Sequence, residues 1–170
     1  MKVLFVCTAN ICRSALAEVI LKKMLQESGV TGIEVESAGV RNLEGEPRDT
    51  TMAACAYKAG YVMNGEARYI SHDMTGSTDL IICMEHHHIV EIQKRLPYVQ
   101  WNRIHLFNEI CFDEKTDMPD PSGGTIDMYM NAFHRIEDGC RALVLKLSKT
   151  TVQHSQSVRH HPFRFQTDDS

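Results

Sequence analysis

The chain has 170 residues, 43% of them hydrophobic and 24% charged, with a formal net charge of −4. That length and balance suit one globular domain that buries a core without disulfide or metal staples, and the negative charge argues against nucleic acid as the main partner. No apolar run reaches the roughly 20 residues that span a membrane, and the apolar start from Met1 to Val6 is too short for a secretion signal. The six cysteines are irregularly spaced, with no Cys-x-x-Cys pair, as expected of thiols in a reducing cytoplasm.

Val3 to Val6 is a short apolar run, expected as a strand buried on both faces. A polar loop follows, Cys7 to Ser14. From Ala15 to Ser28 the spacing predicts a helix: Leu16, Ile20 and Met24 recur at helical intervals, as do Ala17, Leu21 and Leu25, with Gly29 as the stop. Ile33 and Val35 alternate with glutamates in a second strand that ends at Ser37-Ala38-Gly39. Asp49 is placed to cap a helix over Thr50 to Ala59, which Gly60 terminates. Leu80 to Met84 is a further buried strand, His86 to Leu96 a helix stopped by Pro97, and Arg103 to Phe107 a fourth strand. Asn108 to Gly124 reads as an irregular acidic stretch.

Ile126, Tyr129, Met130, Phe133, Ile136, Cys140, Leu143, Val144 and Leu147 form one apolar stripe, which predicts a last helix packed on the core. The composition then turns polar, so residues 1–148 are expected to form the domain and 149–170 a mobile tail. Strands alternating with helices predict an α/β fold, a parallel sheet covered by helices on both faces. Ligands bind beyond the carboxyl ends of such strands, where Cys7 lies.

The segment Cys7-Thr8-Ala9-Asn10-Ile11-Cys12-Arg13-Ser14 carries the chemistry. A loop between a strand and a helix can curl its backbone N–H groups around an anion, and the helix N-terminus adds free donors and partial positive charge. Arg13 can fork two N–H donors onto phosphate oxygens. The same positive surroundings favour the thiolate form of Cys7, a nucleophile poised beside bound phosphate.

This loop resembles that of the low-molecular-weight protein tyrosine phosphatases, whose pattern is Cys-x-Gly-Asn-x-Cys-Arg-Ser near the N-terminus. The resemblance continues in Ser37-Ala38-Gly39, in Asp79-Leu80-Ile81-Ile82-Cys83-Met84-Glu85 and in Asp120-Pro121, and covers the chain to about Leu147. It implies a four-stranded parallel sheet with the phosphate-binding loop after strand 1, a cysteinyl-phosphate intermediate, and no metal or organic cofactor. It further implies Cys7 as nucleophile, Arg13 as phosphate clamp and Asp120 as general acid, then general base. Thr8 to Arg13 would bind phosphate oxygens through backbone N–H groups. Ser14 would donate to the Cys7 sulfur, Asn10 would brace the loop, and His72 would be a structural histidine near it. Cys12 lies where family members form a disulfide with the nucleophile, with a plain buried thiol as the other reading. The implied partner is a tyrosine-phosphorylated protein, with a bacterial tyrosine kinase as one such partner. The oligomeric state is left open.

The chain departs from the pattern at several points. Ala9 stands where the family has Gly, a cost of about 1 kcal/mol if that position needs a positive φ. Ala15 replaces a common Pro. Ser122 and Leu43 replace aromatic residues that line the slot for the aryl ring, so a slot of Ile11, Leu43 and Ser122 is expected to grip that ring less firmly.

Three histidines in succession, His86-His87-His88, point about 100° apart on a helix, cannot share one tetrahedral ion, and read as solvated surface. Cys55, Cys111 and Cys140 read as packing residues. His160 and His161 have no expected catalytic role. Asp117 is an alternative acid without the following Pro.

Competing functions share the fold. Arsenate reductases of this type need two more cysteines close together, and the residues after Cys83 offer none. Phosphoarginine phosphatases have Thr at the position of Ile11, whose apolar bulk suits a phenyl ring and crowds a guanidinium. A phosphotyrosine-binding module without turnover is disfavoured because nucleophile, clamp and acid are all present.

Overall fold

The computed structural model describes residues 1–157. Four strands, β1 (Lys2–Cys7), β2 (Glu34–Gly39), β3 (Leu80–Cys83) and β4 (Ile104–Leu106), form one all-parallel sheet in the order β2-β1-β3-β4. Helices α1 (Arg13–Glu27), α2 (Thr50–Lys58), α3 (His72–Gly76), α4 (His86–Gln93), α5 (Phe107–Phe112) and α6 (Ile126–Ser157) cover it.

The central strand explains why the sheet is covered twice. Val3, Leu4, Phe5 and Val6 are all fully buried. Strand alternation sends Val3 and Phe5 into a core with Leu16 and Ile20 of α1, Met52 of α2 and Phe133 of α6. Leu4 and Val6 face the other way, against Ile70, Ile92 and Leu96. Full burial of each such side chain contributes about 1.5–3 kcal/mol. The continuous apolar run therefore selects a layered α/β architecture, and the parallel pairing carries the ends of β1, β2 and β3 to one edge.

Asp49 caps α2 as its position suggests, its carboxylate accepting from Met52 N at 2.8 Å. Other boundaries differ from the sequence expectation. Phe107, placed at the end of a strand, instead begins α5, where Phe107 and Cys111 bury one turn apart. Both press on α6 at Gly139, where a Cβ would lie 2.3 Å from the Phe107 ring. Two short elements carry no clear period and were not expected, α3 and a 3-10 helix over Tyr98–Arg103. The last helix runs on to Ser157, past the end of its apolar stripe at Leu147 and into the segment expected as a tail. The rest of that segment, with His160 and His161, lies outside the described residues. Among the described residues, no helix is long and apolar enough to cross a membrane.

Candidate active site

Cys7 is the last residue of β1 and Arg13 the first of α1, so the loop between them sits at the carboxyl edge of the sheet. The left-handed backbone of the loop is at Asn10, with φ 59°, and not at Ala9. The cost expected for Ala9 therefore does not arise. A short amide side chain tolerates that conformation better than most residues. The turn brings Asn10 N–H onto the Cys7 sulfur at 3.3 Å.

The Ser37-Ala38-Gly39 segment supports the loop from β2. A Cβ on Gly39 would lie 2.8 Å from both the Ala9 carbonyl carbon and the Thr8 oxygen, so only glycine lets the loop approach so closely. Asn10 Nδ2 donates to Ser37 Oγ at 2.8 Å and to Ser14 Oγ at 2.9 Å. Ser37 in turn donates to Glu18. Because Ser14 Oγ accepts a hydrogen bond from Asn10, its own proton is available for the Cys7 sulfur 2.9 Å away.

Arg13 is 1% exposed and spans the site. Nη1 donates to Met118 O at 2.6 Å, and Nη2 pairs with Glu85 at 2.6 Å and with Asp120 at 3.1 Å. The structure thus brings Asp120, more than 100 residues further along the chain, to the loop that carries Cys7 and Arg13. The acid-bearing loop is tied down independently, by Met118 N to Met84 O at 2.8 Å and Asn108 Nδ2 to Asp117 O at 3.2 Å. Tyr129 adds a further tie: its hydroxyl donates to Asp49 at 2.8 Å and accepts from Gly123 N at 3.4 Å. Asp117 itself is engaged elsewhere. It accepts from the backbone N–H of His86 at 2.8 Å and from His86 Nδ1 at 2.6 Å. Despite partial burial acting the other way, those bonds hold its carboxyl below the usual range.

The histidine that reaches the loop is His88. His72 is exposed at the start of α3, and no described contact joins it to Asn10 or Cys7. The expectation for His72 is corrected accordingly, and so is the reading of His88 as solvated surface. His88 is fully buried, with Nε2 2.9 Å from Thr8 Oγ1 and Nδ1 accepting from Glu85 N at 3.0 Å. The amide can only donate, so Nδ1 is bare and Nε2 carries the proton toward Thr8. The sequence hid this residue because its two neighbours, His86 and His87, are indeed exposed. Glu85, His87 and His88 place ligand-capable atoms within 4.8 Å of one another. With both His88 nitrogens bonded and Arg13 seated on Glu85, that group serves the loop and does not form an open metal site.

Burial, with help from His87 and Arg13, pushes His88 down to about 3. A ring held neutral in the fold takes up a proton on unfolding at any pH between that value and the ordinary 6.5. Its contribution is therefore complete above 6.5 and is lost as pH falls toward 3, at up to about 1.4 kcal/mol per pH unit. Denaturant unfolding across that window checks the point. His88→Asn, which keeps an acceptor but cannot titrate, is expected to lose stability less steeply than the parent, and equal slopes would assign the loss to another group.

Of the residues expected to line an aryl slot, Ile11 and Leu43 are half-buried and Ser122 is exposed. Tyr129 is buried, with its hydroxyl on Asp49. Ser122→Tyr is expected to lower KM for aryl phosphates by about 1 kcal/mol of ring contact. Steady-state kinetics on nitrophenyl phosphate would show it, and an unchanged KM would mean Ser122 does not line the slot.

Comparison with known proteins agrees with this geometry. The model of the family described as low molecular weight phosphotyrosine protein phosphatase matches residues 2–154. The low molecular weight protein-tyrosine-phosphatase Etp of Escherichia coli K12 is 33% identical over 148 residues, 86% of this chain and 95% of that protein. A protein-arginine-phosphatase of Bacillus subtilis is 27% identical over 149 residues, 88% of this chain and 98% of that protein. The crystal structure of a protein tyrosine phosphatase from Entamoeba histolytica superposes with a TM-score of 0.82 at 28% identity, covering 89% of this chain and 99% of that one. With a loop from Cys7 to Arg13 at the end of β1 and an Asp-Pro loop folded back onto it, the chain belongs to the low molecular weight phosphotyrosine protein phosphatase family.

Proposed function

We propose that the chain hydrolyses phosphotyrosine in proteins in two steps, through a phosphate ester of the Cys7 sulfur. The observation that carries this reading is the Arg13 guanidinium, which closes the Cys7 loop and meets Asp120 at 3.1 Å. In the first step the Cys7 thiolate attacks phosphorus while Arg13 and the loop N–H groups take the charge on the non-bridging oxygens. Protonated Asp120 gives its proton to the departing phenolate oxygen. In the second, the Asp120 carboxylate takes a proton from water, which displaces the sulfur and frees inorganic phosphate. The hydroxyl of Ser14 steadies the leaving thiolate.

Tyrosine is favoured over arginine by Ile11, whose side chain packs partly on the core and offers an apolar wall with no acceptor for a guanidinium. The named arginine phosphatase among the relatives makes that the second reading. Peptides carrying phosphotyrosine, phosphoserine or phosphoarginine decide between them. We expect kcat/KM to be highest on phosphotyrosine, and a preference for phosphoarginine would overturn the assignment. The partner class is a cytoplasmic tyrosine-phosphorylated protein, of which a bacterial tyrosine kinase is the candidate to test.

Cys12 supports a redox proposal at the same site. Burial and the Asp49 carboxylate push the Cys12 thiol well up, so it stays protonated. Peroxide takes Cys7 to a sulfenic acid, and the Cys12 thiol condenses with it to a disulfide with loss of water. Peroxide inactivation is then reversed by dithiol in the parent and largely irreversible in Cys12→Ser. Equal recovery of both would leave Cys12 a packing residue.

A further inference from the structure

A second arginine lies behind the catalytic loop and takes no part in the steps above. Arg48 precedes the α2 cap and is half-buried. Its Nη1 donates to the backbone oxygen of Asn10 and, at 3.1 Å, to Asn10 Oδ1. Nε is anchored on Asn64 O at 3.2 Å. The neighbouring turn leaves room for it: Gly65, at φ +83°, has no side chain, and a Cβ there would lie 3.7 Å from Arg48 Nη2.

The consequence is directional. Asn10 Oδ1 accepts from Arg48 and from Arg68 N at 2.9 Å, two donors on one side. Turning the amide over would set its NH₂ against a guanidinium and leave Ser37 and Ser14 facing an oxygen. With Oδ1 held, Nδ2 must point at Ser37 and Ser14, and the Ser14 proton is left for Cys7. Burial holds the Arg48 guanidinium below its ordinary range, with Glu18 and the Cys7 sulfur acting the other way and Arg68 adding to the shift.

We propose that Arg48 is a positioning residue for the nucleophile: it locks the Asn10 amide so that Ser14 donates to the Cys7 sulfur. The proposal deepens the catalytic reading above and rests on Cys7 as the reactive thiol.

The test is the rate at which iodoacetamide labels Cys7, followed by peptide mass mapping over a range of pH. In Arg48→Gln, which loses the charge, labelling at about pH 6 is expected to fall about fivefold or more, with the profile moved to higher pH. Turnover number should fall with it while KM changes little. Arg48→Lys keeps the charge but has no Nε to anchor on Asn64 O, and its rate should be intermediate. A merely structural role predicts the opposite sign, because loosening the loop exposes a cysteine that is only 3% exposed and speeds its labelling. Labelling of Arg48→Gln at or above the parent rate overturns the proposal, as does parent-rate labelling of Arg48→Lys if the Gln variant does not fold. A parent enzyme whose Cys7 is inert to the reagent would instead contradict the catalytic reading, so the two failures are distinct.

Discussion

Cys7→Ser is expected to lower turnover on any phosphate monoester by on the order of 10⁴-fold or more while phosphate still binds. The sulfur sits at the end of β1, with a backbone N–H at 3.3 Å and a hydroxyl at 2.9 Å, both suited to a thiolate. An alcohol in its place keeps its proton at neutral pH. Arg13 and the loop backbone are untouched by the substitution, so the anion site survives. Turnover retained within about tenfold would mean that Cys7 is not the nucleophile.

Asp120→Ala is expected to slow hydrolysis of phosphotyrosine by about 100-fold or more, in the range typical of a lost general acid. Nitrophenyl phosphate, with a better leaving group, should be slowed less. That difference separates proton donation from loss of the Arg13–Asp120 pair, which would affect both substrates alike. The two bonds from His86 to Asp117 set that residue to anchoring the loop. Full activity of Asp120→Ala on phosphotyrosine would return Asp117 as the acid.

β1 and β3 were legible in the sequence because they are short runs of buried residues, Val3 to Val6 and Leu80 to Cys83, and β2 because Val35 alternates with glutamates. α3 and α5 escaped because five or six residues are too few to show a helical period, and Phe107 looks like the end of a strand until Gly139 is seen against it. Cys7, Arg13 and Ser14 share one loop, so their spacing could be read directly. Asp120 could be placed only through its Asp-Pro pair, since nothing local says that it folds back over Arg13. Glu85, His88 and Arg48 were beyond local reading altogether. Each reaches the loop across the tertiary structure, and each is of a type found mostly on surfaces. His88 shows the difficulty most clearly: three identical residues in a row carry no sign of which one is buried.

The central claim is that phosphate passes through the Cys7 sulfur. Rapid mixing with a phosphotyrosine peptide, followed by alkaline quench and mass mapping, tests it most directly, because an S-phosphate ester of cysteine hydrolyses readily in mild acid and is kept best in alkali. We predict a peptide containing Cys7 that is heavier by one phosphate, formed within the first turnover and absent in Cys7→Ser. Turnover with no phosphate on Cys7 at any quench time, or with phosphate on another residue, would contradict the account.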